Sequence, residues 1–175
     1  MGEVTTLPTA AREPLTPPGP ISPAHDLSRF ACGHDSLDDW LRVHALRNEG
    51  RTSRTYVVCI GSTVVGYYCL ATGAEKRVAM PKKIRQGIPD PVPLMIIGRL
   101  AVDRNYQGRG IGSGLLSDAL KRILAASEVV GCRAVLVHAI DQAALGFYIQ
   151  YGFVEFPTGS QTLFLPIETV RTGLQ

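Results

Sequence analysis

The chain has 175 residues, of which 45% are apolar and 19% are charged, so it has the length and the apolar content of one domain with one hydrophobic core. Its formal net charge of +3 is too small to indicate a partner by itself. No apolar run approaches the ~18 residues of a membrane-spanning helix, and the amino-terminal stretch lacks the basic start of a signal peptide, which predicts a cytoplasmic protein without membrane contact.

The amino-terminal stretch is rich in proline. Residues 1–24 contain six of the twelve prolines and few large apolar side chains, too few to offset the entropy of ordering the chain. We therefore predict a flexible tail over residues 1–13 and an extended segment over residues 14–24.

A helix and a hairpin are predicted next. The helix begins at Ser36, a residue type that caps helices, and its inward face consists of Leu37, Trp40, Leu41 and His44. Two runs rich in β-branched and aromatic residues, 55–60 and 64–70, predict a hairpin. A polar, basic and proline-containing loop is predicted over residues 73–93.

The second half alternates strands and helices. We predict strands over residues 94–102 and 134–137 and a helix over residues 110–127 between them, so the two strands must be parallel. A helix over residues 141–151, capped by Asp141, and strands at 153–156 and 162–165 follow. The expected fold class is α/β, a single domain over residues 14–170 with a mixed, mostly antiparallel twisted sheet flanked by helices, and residues 171–175 are expected to form a tail.

The four cysteines lack the spacing of a metal site. Cys32, Cys59, Cys69 and Cys132 form no Cys-x-x-Cys pair, and no histidine is spaced to complete a zinc site. Three of them lie in apolar segments, which favours buried free thiols. We predict no metal centre.

The most informative segment joins the strand at 94–102 to the helix at 110–127. Four of the seven residues from Gly108 to Gly114 are glycine, which lets the main chain approach an anion closely. The first N–H groups of the helix have no intrahelical partner, so the turn predicts a phosphate or diphosphate site. The segment lacks the Gly-Lys-Ser/Thr that ends a P-loop. The dinucleotide-binding pattern Gly-x-Gly-x-x-Gly fails whether it is started at Gly108 or at Gly110. The pattern Gln-x-x-Gly-x-Gly does fit, at Gln107, Gly110 and Gly112.

Gln-x-x-Gly-x-Gly at a strand-to-helix turn resembles motif A of the GNAT acetyltransferases, in which main-chain amides bind the pyrophosphate of coenzyme A. The downstream segment Ala143-x-x-x-Phe147-Tyr148-x-x-Tyr151-Gly152-Phe153 is similar to a second segment of that superfamily. The resemblance implies a GNAT-type domain in which a splayed parallel pair of strands, at 94–102 and 133–139, holds the pantetheine of acetyl-CoA.

The resemblance also implies a set of acetyl-CoA-binding residues. They are Leu100, Ala101, Val102, Gln107, Gly108, Arg109, Gly110, Ile111, Gly112, Ser113, Asp141 and Phe147. Arg104 could add a further charge-assisted contact. Asp141 departs from the asparagine that many members carry, and a carboxylate is less favourable beside phosphates.

Tyr148 is the implied general acid, which protonates the departing thiolate of coenzyme A. A phenol with an ordinary pKa near ~10 is protonated at neutral pH and can serve that purpose. The implied reaction is direct attack by an amine on the thioester, with a main-chain N–H near residues 100–102 stabilising the oxyanion.

No general base is identified. Asp141, Glu75 and His138 each have a structural explanation, as a helix cap, a loop residue and part of a buried strand. The remaining histidines, His25, His34 and His44, have no identifiable partner. A missing base favours an α-amine, with an ordinary pKa near ~7.7–8, over a lysine near ~10.4.

Three stretches resemble the GNAT toxins of the TacT and AtaT type: Phe30-x-Cys32-Gly33-x-x-x-Leu37-x-x-Trp40-Leu41, the proline-containing run at 88–93 and the run at 98–103. That resemblance implies acetylation of the α-amine of aminoacyl-tRNA, inhibition of translation and a ribbon-helix-helix antitoxin as partner. Basic residues agree with an RNA substrate, and the candidates are Lys76, Arg77, Lys82, Lys83, Arg85 and Arg99.

Two other classes of function stay open. A metabolic or protein N-acetyltransferase would share the fold and the cofactor and act on another amine. A non-catalytic acyl-CoA-binding module would keep the glycine turn without transferring the acetyl group, although Tyr148 argues against it. A homodimer is compatible with each of these readings.

Overall fold

The computed structural model describes residues 13–174, so the predicted tail over residues 1–13 lies outside it except for Glu13. Within these residues seven strands form one sheet in the order β1-β2-β3-β4-β5-β7-β6. The strands are β1 (Gly19–Pro20), β2 (Arg54–Ile60), β3 (Thr63–Glu75), β4 (Val92–Val102), β5 (Ala134–His138), β6 (Val154–Glu155) and β7 (Thr162–Pro166). The helices are α1 (Asp35–Asp39), α2 (Ala45–Asn48), α3 (Lys82–Arg85), α4 (Ile111–Ser127), α5 (Gln142–Gln150) and α6 (Ile167–Gly173).

The sheet is antiparallel except at one pair of strands. β4 and β5 run parallel, because α4 crosses over between them, and the predicted mixed α/β fold is confirmed. Their pairing ends at Ile97 opposite Val137, although β4 continues to Val102. The two strands therefore separate over the last residues of β4 and leave an opening between them.

A β-bulge marks the point where this opening begins. On the other side of β4, the register with β3 shifts between Cys69, which faces Arg99, and Leu70, which faces Ile97. Gly98 is the extra residue. Bulges of this kind bend a strand and redirect its side chains.

Each face of the sheet carries its own core, because side chains alternate along a strand. On the first face α4, α5 and α6 pack against residues such as Val135 and Val137. On the second face two separate clusters form. One contains Phe30, Trp40 and Tyr67 from the amino-terminal segment and β3, and the other packs the segment between β3 and β4 on β5 and β7.

The first helix differs from its prediction. It begins at Asp35, with His34 at the N-cap position and Ser36 exposed inside the helix, so the predicted Ser36 cap is wrong. A π-helical turn over Trp40–His44 follows, in which the Ala45 N–H donates to the Trp40 carbonyl oxygen. The extra residue of this turn places Ala45, instead of the predicted His44, against the core.

Residues 73–93 are more ordered than the predicted loop. β3 runs to Glu75 and β4 begins at Val92, and a short 3-10 turn (Arg77–Ala79) and α3 lie between them. Burial explains this structure, since Met80 and Ile88 pack in the cluster with Phe156 and Phe164. At the carboxyl end, α6 extends past the predicted domain boundary at residue 170 because Ile167 and Val170 are buried.

Two general features concern the whole of the described range. No helix in residues 13–174 combines the length and the apolar character that a bilayer crossing requires. No group of three or more His, Cys, Asp or Glu side chains in that range could hold a metal ion.

Two buried threonines provide a matched test of the hydrogen-bond network. The Thr55 hydroxyl is buried and has no hydrogen-bond partner among the described residues, whereas the Thr162 hydroxyl lies 2.8 Å from His138 Nδ1. Valine has nearly the shape of threonine without the hydroxyl, so Thr55→Val is expected to raise the free energy of unfolding by up to about 1 kcal/mol. Thr162→Val is expected to lower it by about 1 kcal/mol. Urea unfolding of both variants checks this, and a destabilised Thr55→Val protein would contradict it.

Candidate active site

The turn between β4 and α4 presents a row of free main-chain donors. Among the described residues, no main-chain N–H from residue 107 to residue 113 donates to a protein acceptor, and the first amide used by α4 is that of Gly114, which donates to Gly110 O at 3.1 Å. Gly108 and Gly110 have φ values of 75° and 82°, a region that residues with a Cβ rarely adopt. These free donors lie at a helix amino terminus, where the helix dipole also attracts an anion.

A cavity of about 290 Å³ opens over this turn. It is lined by Val102, Tyr106, Gln107, Gly108, Gly110, Ile111, Gly112, Ser113, Phe147 and Tyr151. Arg109 is exposed beside it, with its guanidinium 5.1 Å from the centre of the Tyr106 ring, and Arg104 is exposed as well. The shape, the free amides and the nearby arginines suit a diphosphate.

The Gln107 side chain joins the turn to two neighbouring segments. Its Nε2 donates to the Cys32 carbonyl oxygen at 3.0 Å and to the Val102 carbonyl oxygen at 2.9 Å. Asp103 makes a second tie, because its Oδ2 accepts from the Ala31 N–H at 3.1 Å. The glutamine side chain therefore fixes the turn to the end of β4 and to the amino-terminal segment, whereas its main-chain N–H stays without a protein acceptor among the described residues.

A second cavity, of about 410 Å³, lies beside the last residues of β4, beyond the point where their pairing with β5 ends. One wall contains Leu100, Ala101 and Val102 of β4, and the opposite wall contains residues of α5 and the residues before it. Its lining is Cys32, His34, Leu37, Leu100, Ala101, Val102, Gln107, Gly112, Ile140, Asp141, Ala143, Ala144, Phe147 and Tyr148. The two cavities share Val102, Gln107, Gly112 and Phe147 and are therefore adjacent. Together they form the cleft, which borders both the glycine turn and Tyr148.

Tyr148 lies on α5 at the inner end of this cleft. Its ring packs edge-on against Phe147, at a centroid distance of 5.3 Å, and against Phe153, at 5.4 Å. Its hydroxyl has no hydrogen-bond partner in the part of the chain that the structure describes, and burial raises the pKa of Tyr148 above its ordinary range, with a smaller contribution from Cys69. The side chain is a protonated donor at neutral pH with its hydrogen bond still to make.

The cysteines near the cleft are poor nucleophiles. Burial raises the pKa of Cys32 to about 11 and raises the pKa of Cys69 as well, so both thiols are protonated at neutral pH. Since the thiolate is the reactive form, neither residue is suited to carry a covalent acyl group. Like Cys59 and Cys132, they are free thiols, as predicted.

His34 and Asp141 form a pair that sequence reasoning missed. Asp141 Oδ1 accepts from the Ala144 N–H at 2.8 Å, which agrees with the predicted helix cap. Asp141 Oδ2 lies 3.1 Å from His34 Nε2, so the interpretation of His34 as a residue without a partner is wrong. The pairing joins segments 107 positions apart, and no local spacing reveals it.

Two more histidines differ from their predictions. His25 has a partner, since its Nδ1 accepts from the Ser22 N–H at 2.9 Å. His138 is exposed at the end of β5, where it contacts Thr162, and is not part of a buried strand surface. Neither residue lines the cleft.

The predicted basic residues fall into two groups. Lys76, Lys82 and Lys83 are exposed and extend from the segment between β3 and β4. The arginines are held by the protein: Arg85 donates to the Met80 and Val78 carbonyl oxygens, Arg77 donates weakly to that of Ile88, and Arg99 stacks over Trp40 at 4.4 Å. The exposed lysine side chains can therefore contact phosphates, whereas the arginine side chains also hold the protein segments with which they form these contacts.

The glycine turn, the opening beside β4 and Tyr148 all lie within residues 51–155, which match the family profile described as an acetyltransferase (GNAT) domain. The chain belongs to the GNAT acetyltransferase family. The predicted GNAT fold, the N-acetyltransferase activity and acetyl-CoA as the cofactor are confirmed by this membership.

Individual relatives agree with the family. The chain is 44% identical over 155 residues to a tRNA-acetylating toxin of Mycobacterium tuberculosis, covering 88% of this chain and 93% of that protein. It is similar to the structure of AtaT complexed with acetyl-methionyl-tRNAfMet, with a TM-score of 0.85 and 30% identity over 93% of this chain and all of that one. It is also similar to a tyrosine-to-phenylalanine mutant of AtaT bound to the C-terminus of the antitoxin AtaR and acetyl-CoA, with a TM-score of 0.80 and 29% identity over 92% and 98% of the two chains.

Proposed function

We propose that this GNAT acetyltransferase transfers the acetyl group of acetyl-CoA to the α-amine of aminoacyl-tRNA and thereby acts as a type II toxin that blocks translation. The observation that carries the proposal is the likeness over nearly the whole chain to a tRNA-acetylating toxin. The similarity to AtaT, whose structure contains acetyl-methionyl-tRNA, supports the same substrate class.

The residues present fit acetyl-CoA. The free amides of residues 107–113 suit its diphosphate, and Arg109 lies beside them. The cavity between β4 and α5 has a volume of about 410 Å³ and is lined by Leu100, Ala101 and Val102 of β4 and by Phe147 of α5, a mostly apolar surface that suits the pantetheine chain. When bound, acetyl-CoA supplies an acetyl group that is already activated as a thioester.

The chain's own residues then direct the transfer. Tyr148 holds its proton at the inner end of the cleft and gives it to the sulfur as the thiolate leaves. Main-chain N–H groups of β4 beyond Ile97 have no partner strand on the β5 side, so they are available to the acetyl carbonyl oxygen. Because Cys32 and Cys69 are protonated, the amine attacks the acetyl group directly.

The acceptor approaches from the second face of the sheet. There, the amino-terminal cluster and the cluster formed by the segment between β3 and β4 are separate. Arg99 stacks over Trp40 in the first cluster, and Lys82 and Lys83 are exposed on the segment that forms the second. An α-amine is partly neutral near pH 7, so it can attack without a strong base. The proton that its nitrogen loses as the amide forms passes to solvent and replaces the one that Tyr148 gives to the sulfur.

Removing the two lysines tests the RNA contact. The double variant Lys82→Ala/Lys83→Ala is expected to raise KM for charged tRNA and to leave kcat unchanged, since the lysines contact phosphates and not the reacting atoms. Each lost phosphate contact should reduce the magnitude of the slope of log affinity against log salt concentration by about one. The slope of the double variant should therefore be smaller than that of the wild type by about two. The assay is transfer from labelled acetyl-CoA to total charged tRNA at several salt concentrations.

The matched control is Lys121→Ala, which removes an exposed lysine on α4, on the first face of the sheet. It is expected to behave as the wild type. Unchanged KM and salt slope in the double variant would show that the RNA does not cross this segment. Acetylation of free amines with no product on charged tRNA would show that the acceptor is a different class of amine.

The partners and the location follow from the same proposal. We propose an antitoxin as the neutralising partner, supported by the similarity to AtaT bound to the C-terminus of the antitoxin AtaR. The ribbon-helix-helix type of that antitoxin is proposed from the resemblance to the TacT and AtaT toxins alone. Charged tRNA as the substrate favours action in the cytoplasm. A homodimer is retained as part of the proposal, and sedimentation of the purified protein would test it.

A further inference from the structure

The His34–Asp141 pair joins the two walls of the cofactor cleft. His34 Nε2 and Asp141 Oδ2 are 3.1 Å apart, and both side chains line the cavity between β4 and α5. His34 belongs to the amino-terminal segment on the β4 side, and Asp141 belongs to the start of α5. The pair therefore spans the opening instead of lying within one wall.

Each wall is fixed independently of the pair. On the β4 side, the Cys32 N–H donates to Asp38 Oδ1 at 2.9 Å, and Gln107 holds the Cys32 carbonyl oxygen. On the α5 side, Asp141 is held by the N–H of Ala144. Because neither wall depends on the His34–Asp141 contact for its own position, the contact can open and close without unfolding either side.

The position of the pair argues against a part in the chemical step. Asp141 precedes Tyr148 by seven residues, which corresponds to about 10 Å along a helix with a rise of ~1.5 Å per residue. The glycine turn borders the same cleft through Gln107 and Gly112. A ligand chain that lies in this cavity between the turn and Tyr148 therefore runs beside the pair, which borders the same cavity.

We propose that His34 and Asp141 form a latch across the cleft that retains the pantetheine arm of acetyl-CoA. This inference rests on the placement of acetyl-CoA given under the proposed function. His34 acts as a positioning residue, since it closes the cleft over the ligand and does not touch the reacting atoms. The latch is formed by two half-exposed side chains, so its contribution is modest.

The test measures the dissociation rate of coenzyme A from three variants by stopped-flow displacement. His34→Ala and Asp141→Ser are each expected to accelerate dissociation by about two- to fivefold, as for a half-exposed side-chain contact. The double variant should show no more than the larger single effect, because the two residues act through one contact. With the latch weakened, KM for acetyl-CoA should rise and kcat at saturating acetyl-CoA should not fall.

The variants are chosen to keep the fold. Serine caps a helix about as well as aspartate does and lacks the second oxygen, Oδ2, that contacts His34. His34 makes no side-chain cap bond to α1. His34→Gln keeps a hydrogen-bond donor and should restore part of the slow dissociation. His44→Ala, which changes an exposed histidine on the π-helical turn, serves as the control and should match the wild type.

Two outcomes would overturn the latch. Unchanged dissociation in both single variants, or strictly additive effects in the double variant, would show that the pair does not retain the ligand. A fall in kcat with unchanged dissociation would assign His34 to the chemical step instead. Failure of the wild type to bind coenzyme A at all would contradict the proposed function itself, so the two failures are distinguishable.

Discussion

Replacing Tyr148 by phenylalanine is expected to lower kcat by about 10²- to 10⁴-fold, the usual contribution of a general acid. The affinity for acetyl-CoA should stay within about twofold, because the ring and its contacts with Phe147 and Phe153 are kept. Only the hydroxyl is lost, and that hydroxyl is the group that has no protein partner among the described residues. The measurement is single-turnover transfer to charged tRNA together with calorimetric binding of acetyl-CoA.

The pH dependence of kcat in the wild type provides a second test of Tyr148 as the general acid. The active form of Tyr148 is the neutral phenol, which is lost only as the pH rises through its pKa. Burial raises that pKa above the ordinary value near ~10, so Tyr148 should cause no decline in kcat between pH 7 and about 10. A decline in that range that is missing from the phenylalanine variant would contradict this assignment.

A matched variant distinguishes the loss of the general acid from the general effect of removing a tyrosine hydroxyl. Tyr56→Phe removes the hydroxyl of a tyrosine on β2 and keeps its stacking on Tyr68 and its contact with Arg122, so it should retain wild-type activity. In cells, expression of the wild type should arrest growth and Tyr148→Phe should relieve the arrest. Undiminished arrest by the phenylalanine variant would remove Tyr148 from the mechanism.

The parts of the site that lie close together in the chain could be predicted from the sequence. The Gln107–Gly114 turn and the Phe147–Tyr148 segment are each recognisable within a few residues, and the structure places both at the cleft. The parallel pairing of β4 and β5 also follows from local information, because a helix of the length of α4 between two strands requires a crossover.

The parts that depend on contacts between distant segments could not be predicted. The Gln107 side chain reaches back to Cys32, and Asp141 pairs with His34; in both cases the partner comes from the amino-terminal segment, which packs on the sheet through Phe30 and Trp40. The π-helical turn is missed for a different reason. The prediction from hydrophobic periodicity assumes a regular α-helix. The extra residue of the π-helical turn shifts the position that faces the core from His44 to Ala45.

Replacing Gly110 by valine is expected to reduce the affinity for coenzyme A by at least about tenfold. Gly110 has a φ of 82° and sits at the N-cap of α4, a conformation that costs a residue with a Cβ roughly 1–2 kcal/mol and is especially unfavourable for a β-branched one. The space around it is not limiting, since an added Cβ would meet only Ser113 Oγ, at 3.9 Å. The loss would therefore come from a main chain that turns its free N–H groups away from the diphosphate, and about 1.4 kcal/mol corresponds to a tenfold change.

Two controls make this result specific to the diphosphate. Gly146→Ala places a methyl group in open space on α5, away from the turn, and should bind coenzyme A like the wild type. S-acetylpantetheine has the thioester and the pantetheine chain without the diphosphate, so its use as acetyl donor should change little between wild type and Gly110→Val. If the valine variant binds coenzyme A within twofold of the wild type, the amides of the turn do not hold the diphosphate, because the altered φ at Gly110 redirects the donors on both sides of it.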